Sequence, residues 1–251
     1  MNVVRPSAIG LLVIIAPFGS ADAEPTQSNI ALESVLHKLE AQATVEQSRQ
    51  ITEAIAASPH LQEQLQSLVS GGKLTDILIL SDEKAKAAAK PGPFNAWISG
   101  ASIVFSESIL LQLAKNRNLD VAHPDERLPN NTTFVLGHLA YQLNAGPPNP
   151  RGYSDMQAFV SAMVSRDAHA YIQAWNDVLD AAVRANEGRQ LTPQQIGGLM
   201  LNLRYRFAFT KALQQSDPKL EIAQNGEVLD TDRNAQAIAT ALRTSAVADI
   251  Q

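Results

Sequence analysis

The stretch most open to a chemical reading is Thr133-Phe134-Val135-Leu136-Gly137-His138-Leu139-Ala140-Tyr141-Gln142-Leu143. On a helix, His138 and Gln142 stand one turn apart and share a face. Two imidazoles at that spacing can hold zinc, and a glutamate next to the first can act as general base on the metal-bound water. His138 keeps the first ligand position of such a site. Leu139 occupies the position of the base and cannot take a proton. Gln142 occupies the second ligand position and offers only a neutral amide oxygen. Taken alone, a histidine in an apolar helix is more often a packed, hydrogen-bonded core residue than a ligand.

Other chemistry-bearing patterns are weaker. There is no GxSxG elbow, P-loop or GxGxxG. His37 and His60 lie among polar residues and read as solvated. His123 precedes Pro124 in a loop. Arg204-Tyr205-Arg206 reads as the solvated, packing edge of a helix.

The elements that would position His138 can be read from periodicity and caps. Residues 28–57 read as one helix with Ser28 as its cap, and a second helix starts at Ser58-Pro59 and stops at Gly71-Gly72. Ile77–Leu80 is a short apolar run suited to a buried strand. Ala96–Ser99 and Ser102–Phe105 flank Gly100-Ala101 as a hairpin, and Ser106 or Ser108 opens the next helix. Residues 118–130 read as a loop. A helix of about a dozen residues, capped by Asn131 or Thr132, carries His138 and ends at Gly146-Pro147-Pro148. A long helix follows from about Ser154 to Asn186. Thr192-Pro193-Gln194-Gln195 is a capping box that starts a helix running to about Gln215. Asn225-Gly226 suggests a small hairpin, and residues 233–246 a last helix. The expected fold is α+β and mainly helical. A small sheet at about 75–106 would pack on the helix of His138 and on the long helix after it.

The segment before that helix adds a resemblance. Asn95-Ala96-Trp97-Ile98-Ser99-Gly100-Ala101-Ser102-Ile103-Val104-Phe105, followed by Ile109-Leu110-Leu111, resembles the segment that precedes HExxH in gluzincin-type zincin metallopeptidases of bacterial envelopes. The resemblance covers roughly residues 75–172, less than half of the chain, and rests on pattern order and a few residue types. It implies a strand beside the cleft where a substrate backbone can pair as an added strand. It also implies a third metal ligand, commonly Glu, from a later helix. The matching region is Val164-Ser165-Arg166-Asp167-Ala168-His169-Ala170-Tyr171, where that Glu is missing and Asp167 and His169 stand instead.

Helix geometry separates those two. Met156, Val160, Met163, Asp167, Tyr171, Ala174 and Val178 advance in steps of three and four, which puts Asp167 on the apolar stripe. His169 falls on the polar side with Arg166, Gln173, Asn176 and Asp180, as a surface histidine would. An acid on a buried stripe needs a partner. His138 is one candidate, and an interhelical salt bridge with Arg204 or Arg206 is the other.

Bulk properties narrow the setting. The chain has 251 residues, of which 45% are apolar, enough to bury a proper core. A net charge of -5 with no long basic run leaves no electrostatic footprint for nucleic acid. With no cysteine, disulfides, thiol nucleophiles and thiolate metal sites are excluded. Arg5, the apolar run Ile9–Ile15 and Ala21-Asp22-Ala23 have the three-part order of a signal peptide cleaved before Glu24. The run is too short for the roughly 20 residues of a membrane span, so no span is expected after cleavage. The division expected is residues 1–23 as signal peptide, 24–72 as a helical N-terminal region and 73–251 as a zincin-like domain with C-terminal helices.

These readings lead to a periplasmic or secreted protein on a zincin-like scaffold. Loss of the general base costs about 10²–10⁴-fold, and loss of a ligand weakens the metal itself. The two together point to a pseudoenzyme that recognises a peptide or protein in the cell envelope, with no cofactor. The alternatives are a divergent but active zinc peptidase with His138, Asp167 and His169 as ligands, and a periplasmic inhibitor or immunity-type protein.

Overall fold

A computed structural model describes residues 27–88, 96–115, 118–119, 127–215 and 219–248. The signal-peptide reading, Asn95 and His123 lie outside the described residues.

The N-terminal part is three helices: α1 (Gln27–Gln42), α2 (Val45–Ala57) and α3 (Pro59–Ser70). The single helix expected over 28–57 is broken at Ala43-Thr44. The break has a local cause: Thr44 and Gln47 form a reciprocal capping box that starts α2. Ser58 caps α3 as expected, with Pro59 at the first helical position.

Three strands follow as one mixed sheet in the order β1-β3-β2: β1 (Asp76–Leu80), β2 (Ala96–Ser99) and β3 (Ser102–Ser106). β1 runs parallel to β3 in the register Ile77↔Ile103, and β2 pairs antiparallel with β3 in the register Trp97↔Val104. Gly100 supplies the positive φ of the hairpin turn. A short helix, α4 (Asp82–Ala87), follows β1, and α5 (Glu107–Lys115) follows β3. The loop expected at 118–130 contains a small antiparallel pair, β4 (Asn118–Leu119) and β5 (Arg127–Leu128).

The helix of His138 is α6 (Asn130–Ala145), longer at its start than expected and without a side-chain cap. Every residue from Asn130 to Ala140 is buried, so this part of the helix is enclosed on all sides, with no single apolar face. Three of its buried N-terminal side chains are matched by neighbours, whereas the buried Asn130 side-chain amide has no hydrogen-bond partner among the described residues. Gln50 donates to Thr132 Oγ1, Thr133 donates to the Ala54 carbonyl, and Asn131 Oδ1 accepts from the Arg204 N–H.

The long helix is α7 (Met156–Ala185), capped by Asp155. Its apolar stripe is only partly a core stripe: Met156, Val160 and Met163 are exposed, and burial starts at Ala168. Length accounts for this. At 1.5 Å per residue, α6 spans about 24 Å and α7 about 45 Å, so α6 is too short to cover the whole of α7.

The capping box at Thr192 starts α8 (Pro193–Asn202), but the helix expected to reach Gln215 breaks, and α9 (Phe207–Gln215) begins separately. The Asn225-Gly226 turn is present with a single bridge, Ile222↔Val228, and α10 (Asp232–Ala248) closes the chain. The protein is thus α+β and mainly helical, with the sheet packed beside α1 and α6. One hydrophobic core runs from Leu32, Ile51 and Leu65 through Phe105 and Phe134 to Trp175 and Ile238. No helix among the described residues is long and apolar enough to cross a membrane.

Candidate functional site

The chemistry-bearing side chains collect along the contact between α6 and α7. Two residues allow that contact to be close. Gly137 in α6 has no side chain, and Ala174 faces it from α7; a Cβ at residue 137 would lie 3.3 Å from the Ala174 Cα.

On one side of this crossing, His138, Gln142 and Asp167 meet. His138 Nε2 lies 2.9 Å from Asp167 Oδ1, and Gln142 Nε2 donates to the same oxygen at 2.8 Å. An ionised carboxylate only accepts, so Nε2 is the protonated ring nitrogen facing it. His138 is 1% exposed, whereas the Asp167 side chain is 28% exposed, so the group opens to solvent on its acidic side. Tyr171 stands edge-on to the imidazole, ring centres 5.2 Å apart. Burial, with Asp167 and Tyr205 adding to it, pushes the Tyr171 hydroxyl far above its ordinary range, so it stays protonated. Arg166, next to Asp167, donates to the Gly146 carbonyl at 2.6 Å.

Of the two partners expected for Asp167, His138 is the one found. Arg206 donates to the Leu203 carbonyl, and the Arg204 guanidinium lies over the Tyr205 ring. The ligand set His138, Asp167 and His169 does not come together. His169 is not the surface histidine expected: only 18% of its side chain is exposed, its Nδ1 is paired with Asp230, and its ring stacks on Tyr141. It leaves α7 on a different side from Asp167, as the helical spacing requires. Among the described residues no group of three or more His, Cys, Asp or Glu is placed to hold a metal ion. Leu139, which the resemblance would put in the general-base position, is buried in the core.

The other side of the crossing holds a second histidine–acid pair that sequence reasoning missed. His60, read as solvated, has its Nδ1 2.7 Å from Asp177 Oδ1. The Asp177 side chain is 0% exposed and that of His60 is 47% exposed. Gln64 and Gln173 also donate to Asp177 Oδ1, at 3.2 and 3.3 Å. The next acid along α7, Asp180, accepts from the Ser58 hydroxyl and the His60 N–H, which satisfies the start of α3. The hydrogen bond to Asp177 raises the His60 proton affinity, and the charges of Asp177, Asp180 and Glu63 add to it. Burial raises Asp177, opposed by its bond to His60. His37, also read as solvated, is an exposed partner of Glu40.

One signal could have found Asp177. It lies three residues after Ala174 and four before Ala181, on a small-residue face that is buried. An acid on such a face calls for a partner by the same argument that served for Asp167. Nothing local points to His60, which is 117 residues away in sequence.

No protein-family model matches the chain, and neither a curated protein nor a solved structure is found to be similar to it.

Proposed function

We propose that this chain is an exported protein on a zincin-like scaffold that has lost hydrolytic chemistry and binds a peptide or protein partner in the cell envelope. The observation that carries the reading is the meeting of His138, Gln142 and Asp167 on a single carboxylate oxygen. In a zincin those positions would converge on a metal. Here the His138 ring nitrogen facing the site donates its proton to Asp167, and Gln142 supplies a second donor. Hydrogen bonds therefore satisfy the groups that a cation would otherwise satisfy. Leu139 in the base position has no means of activating water. The order of elements supports the same reading. β2 is an edge strand of the three-stranded sheet and packs near α6, a position suited to pairing with an extended peptide.

The test is elemental analysis of the purified protein alongside a casein hydrolysis assay. No stoichiometric zinc and no cleavage are expected. The double variant Leu139→Glu and Gln142→His restores two imidazoles one turn apart beside Asp167, and should gain zinc affinity. One equivalent of zinc with hydrolysis in the unaltered protein would overturn the loss of chemistry. A double variant that folds but gains no zinc affinity would count against the scaffold.

A further inference from the structure

An open cavity of about 260 Å³ lies between α3, α6 and α7, on the Asp177 side of the helix crossing. It uses neither His138 nor Asp167. Water in the liquid takes about 30 Å³ per molecule, so the space suits a solute of amino-acid size. Its polar lining is His60, Gln64 and Ser67 from α3, Tyr141 and Asn144 from α6, and Gln173 from α7.

We infer that this cavity binds a small carboxylate, with the outward ring nitrogen of His60 as its charged donor.

The argument starts from how His60 is held. Asp177 fixes the proton on Nδ1, because a buried carboxylate can only accept there. The two glutamine amides converge on the same carboxylate oxygen and brace it. Ring geometry then turns Nε2 away from Asp177, on a side chain that is 47% exposed and lines the cavity, and Nε2 has no hydrogen-bond partner among the described residues. With its proton affinity raised, the imidazole keeps its positive charge, and with it an Nε2–H donor, to higher pH than an ordinary histidine does.

The rest of the lining is also weighted toward donors. Lys73 Nζ donates to both the Asn144 carbonyl and Asn144 Oδ1, each at 2.9 Å. That occupies the acceptor end of the Asn144 side chain and leaves its amide N–H groups. It also sets a second cation at the edge of the cavity. Tyr141 keeps its hydroxyl proton, since burial and then Asp230 raise it, opposed only by Arg166. Ser67 adds another hydroxyl.

The acids near His60 are already committed or lie outside the lining. Asp177 is engaged by His60 and the two glutamines, and Asp180 by the start of α3. Glu63 acts on His60 only through its charge and does not line the cavity. A carboxylate would accept from His60 at one end and from the Asn144 amide at the other, with the Ser67 and Tyr141 hydroxyls beside it. Charge-assisted bonds of this kind are about twice as strong as neutral ones.

The test is an NMR titration of the full chain with N-acetylglycine, and with N-acetylglycinamide as the neutral control. Saturable shifts are expected at the His60 ring, Tyr141 and Asn144 with the acid. The amide should bind at least about tenfold more weakly, because it cannot form the charge-assisted bond. Affinity for the acid should fall as pH rises through the His60 titration. His60→Gln should lose at least about tenfold in affinity. Asn144→Leu, which leaves the Asp177 network alone, should also weaken binding and carries the test if His60→Gln fails to fold. Absence of saturable shifts, equal binding of acid and amide, or unchanged affinity in Asn144→Leu would overturn the inference.

Discussion

At the scale of single residues, the crossing of α6 and α7 depends on Gly137. A Cβ added there would stand 2.0 Å from Asp177 Oδ2, well inside contact distance. Glycine inside a helix is ordinarily about 0.5–1 kcal/mol worse than alanine. Gly137→Ala should invert that sign and destabilise the protein by roughly 1–3 kcal/mol in urea unfolding, because the new methyl displaces a buried carboxylate. The effect should shrink by more than about 0.5 kcal/mol in an Asp177→Ala background, and strict additivity would exclude the contact as its cause. The pair of Asp177 with His60 has a pH signature as well. Both groups are raised in the folded protein. For His60 the stabilisation is complete below its unfolded value and is lost as pH rises through the folded one. For Asp177 the raised affinity also favours the folded state at low pH, and that preference is lost once the buried carboxyl ionises. The two therefore act in the same direction, and stability should fall as pH rises from the acidic range through the His60 titration. Asp177→Asn should flatten this slope relative to the unaltered protein and return His60 toward the ordinary histidine range by NMR. A slope unchanged in the variant would exclude the pair as its source.

At the scale of elements, helix starts in this chain are of two kinds, and burial separates them. Thr192 and Gln195 form an exposed, self-contained capping box. Ser58 is buried, accepts from the Leu61 N–H at 3.1 Å and donates to Asp180 Oδ2 at 2.8 Å. Its hydroxyl thus both caps α3 and ties it to α7. Removing Thr192 as a cap should cost about 1 kcal/mol. Ser58→Ala should cost roughly 2–3 kcal/mol, because it also takes a donor from a carboxylate at a buried junction. Denaturant unfolding of both variants tests the order, and equal costs would show that the bond to α7 contributes nothing.

At the scale of the whole molecule, one core joins the N-terminal helices to the sheet and the α6–α7 pair. The chain does this without a disulfide, since it has no cysteine. Three histidine–acid pairs draw other parts of the chain to α7. His60 reaches it from α3, His138 from α6, and Asp230, ahead of α10, pairs with His169. The exposed apolar start of α7, at Met156, Val160 and Met163, extends beyond that core. The proposed export belongs to this scale too. A chain expressed with its first 23 residues in a bacterial host should be recovered from the periplasm beginning at Glu24, by N-terminal sequencing. Intact Met1 in the membrane fraction would rule out cleavage.

Much of the local structure was legible in the sequence, because its causes lie within a few residues of their effects. Ser58-Pro59 and Thr192-Pro193 start helices by bonds to residues three further on, and the turn at Gly100 aligns β2 with β3. The shared face of His138 and Gln142 follows from helical pitch, and the need of Asp167 for a partner follows from its place on the stripe. Two helices were read too long, at Thr44 and after Asn202, where cap and tertiary contact outweigh a continuing apolar rhythm. Tertiary structure alone decided that Asp177 would face His60 across 117 residues, that Gly137 would lie against Asp177 and Ala174, and that the stripe on α7 would leave the core before Ala168. Each of these depends on which distant surface meets a helix face. Periodicity says that a face is apolar, but only packing says what covers it.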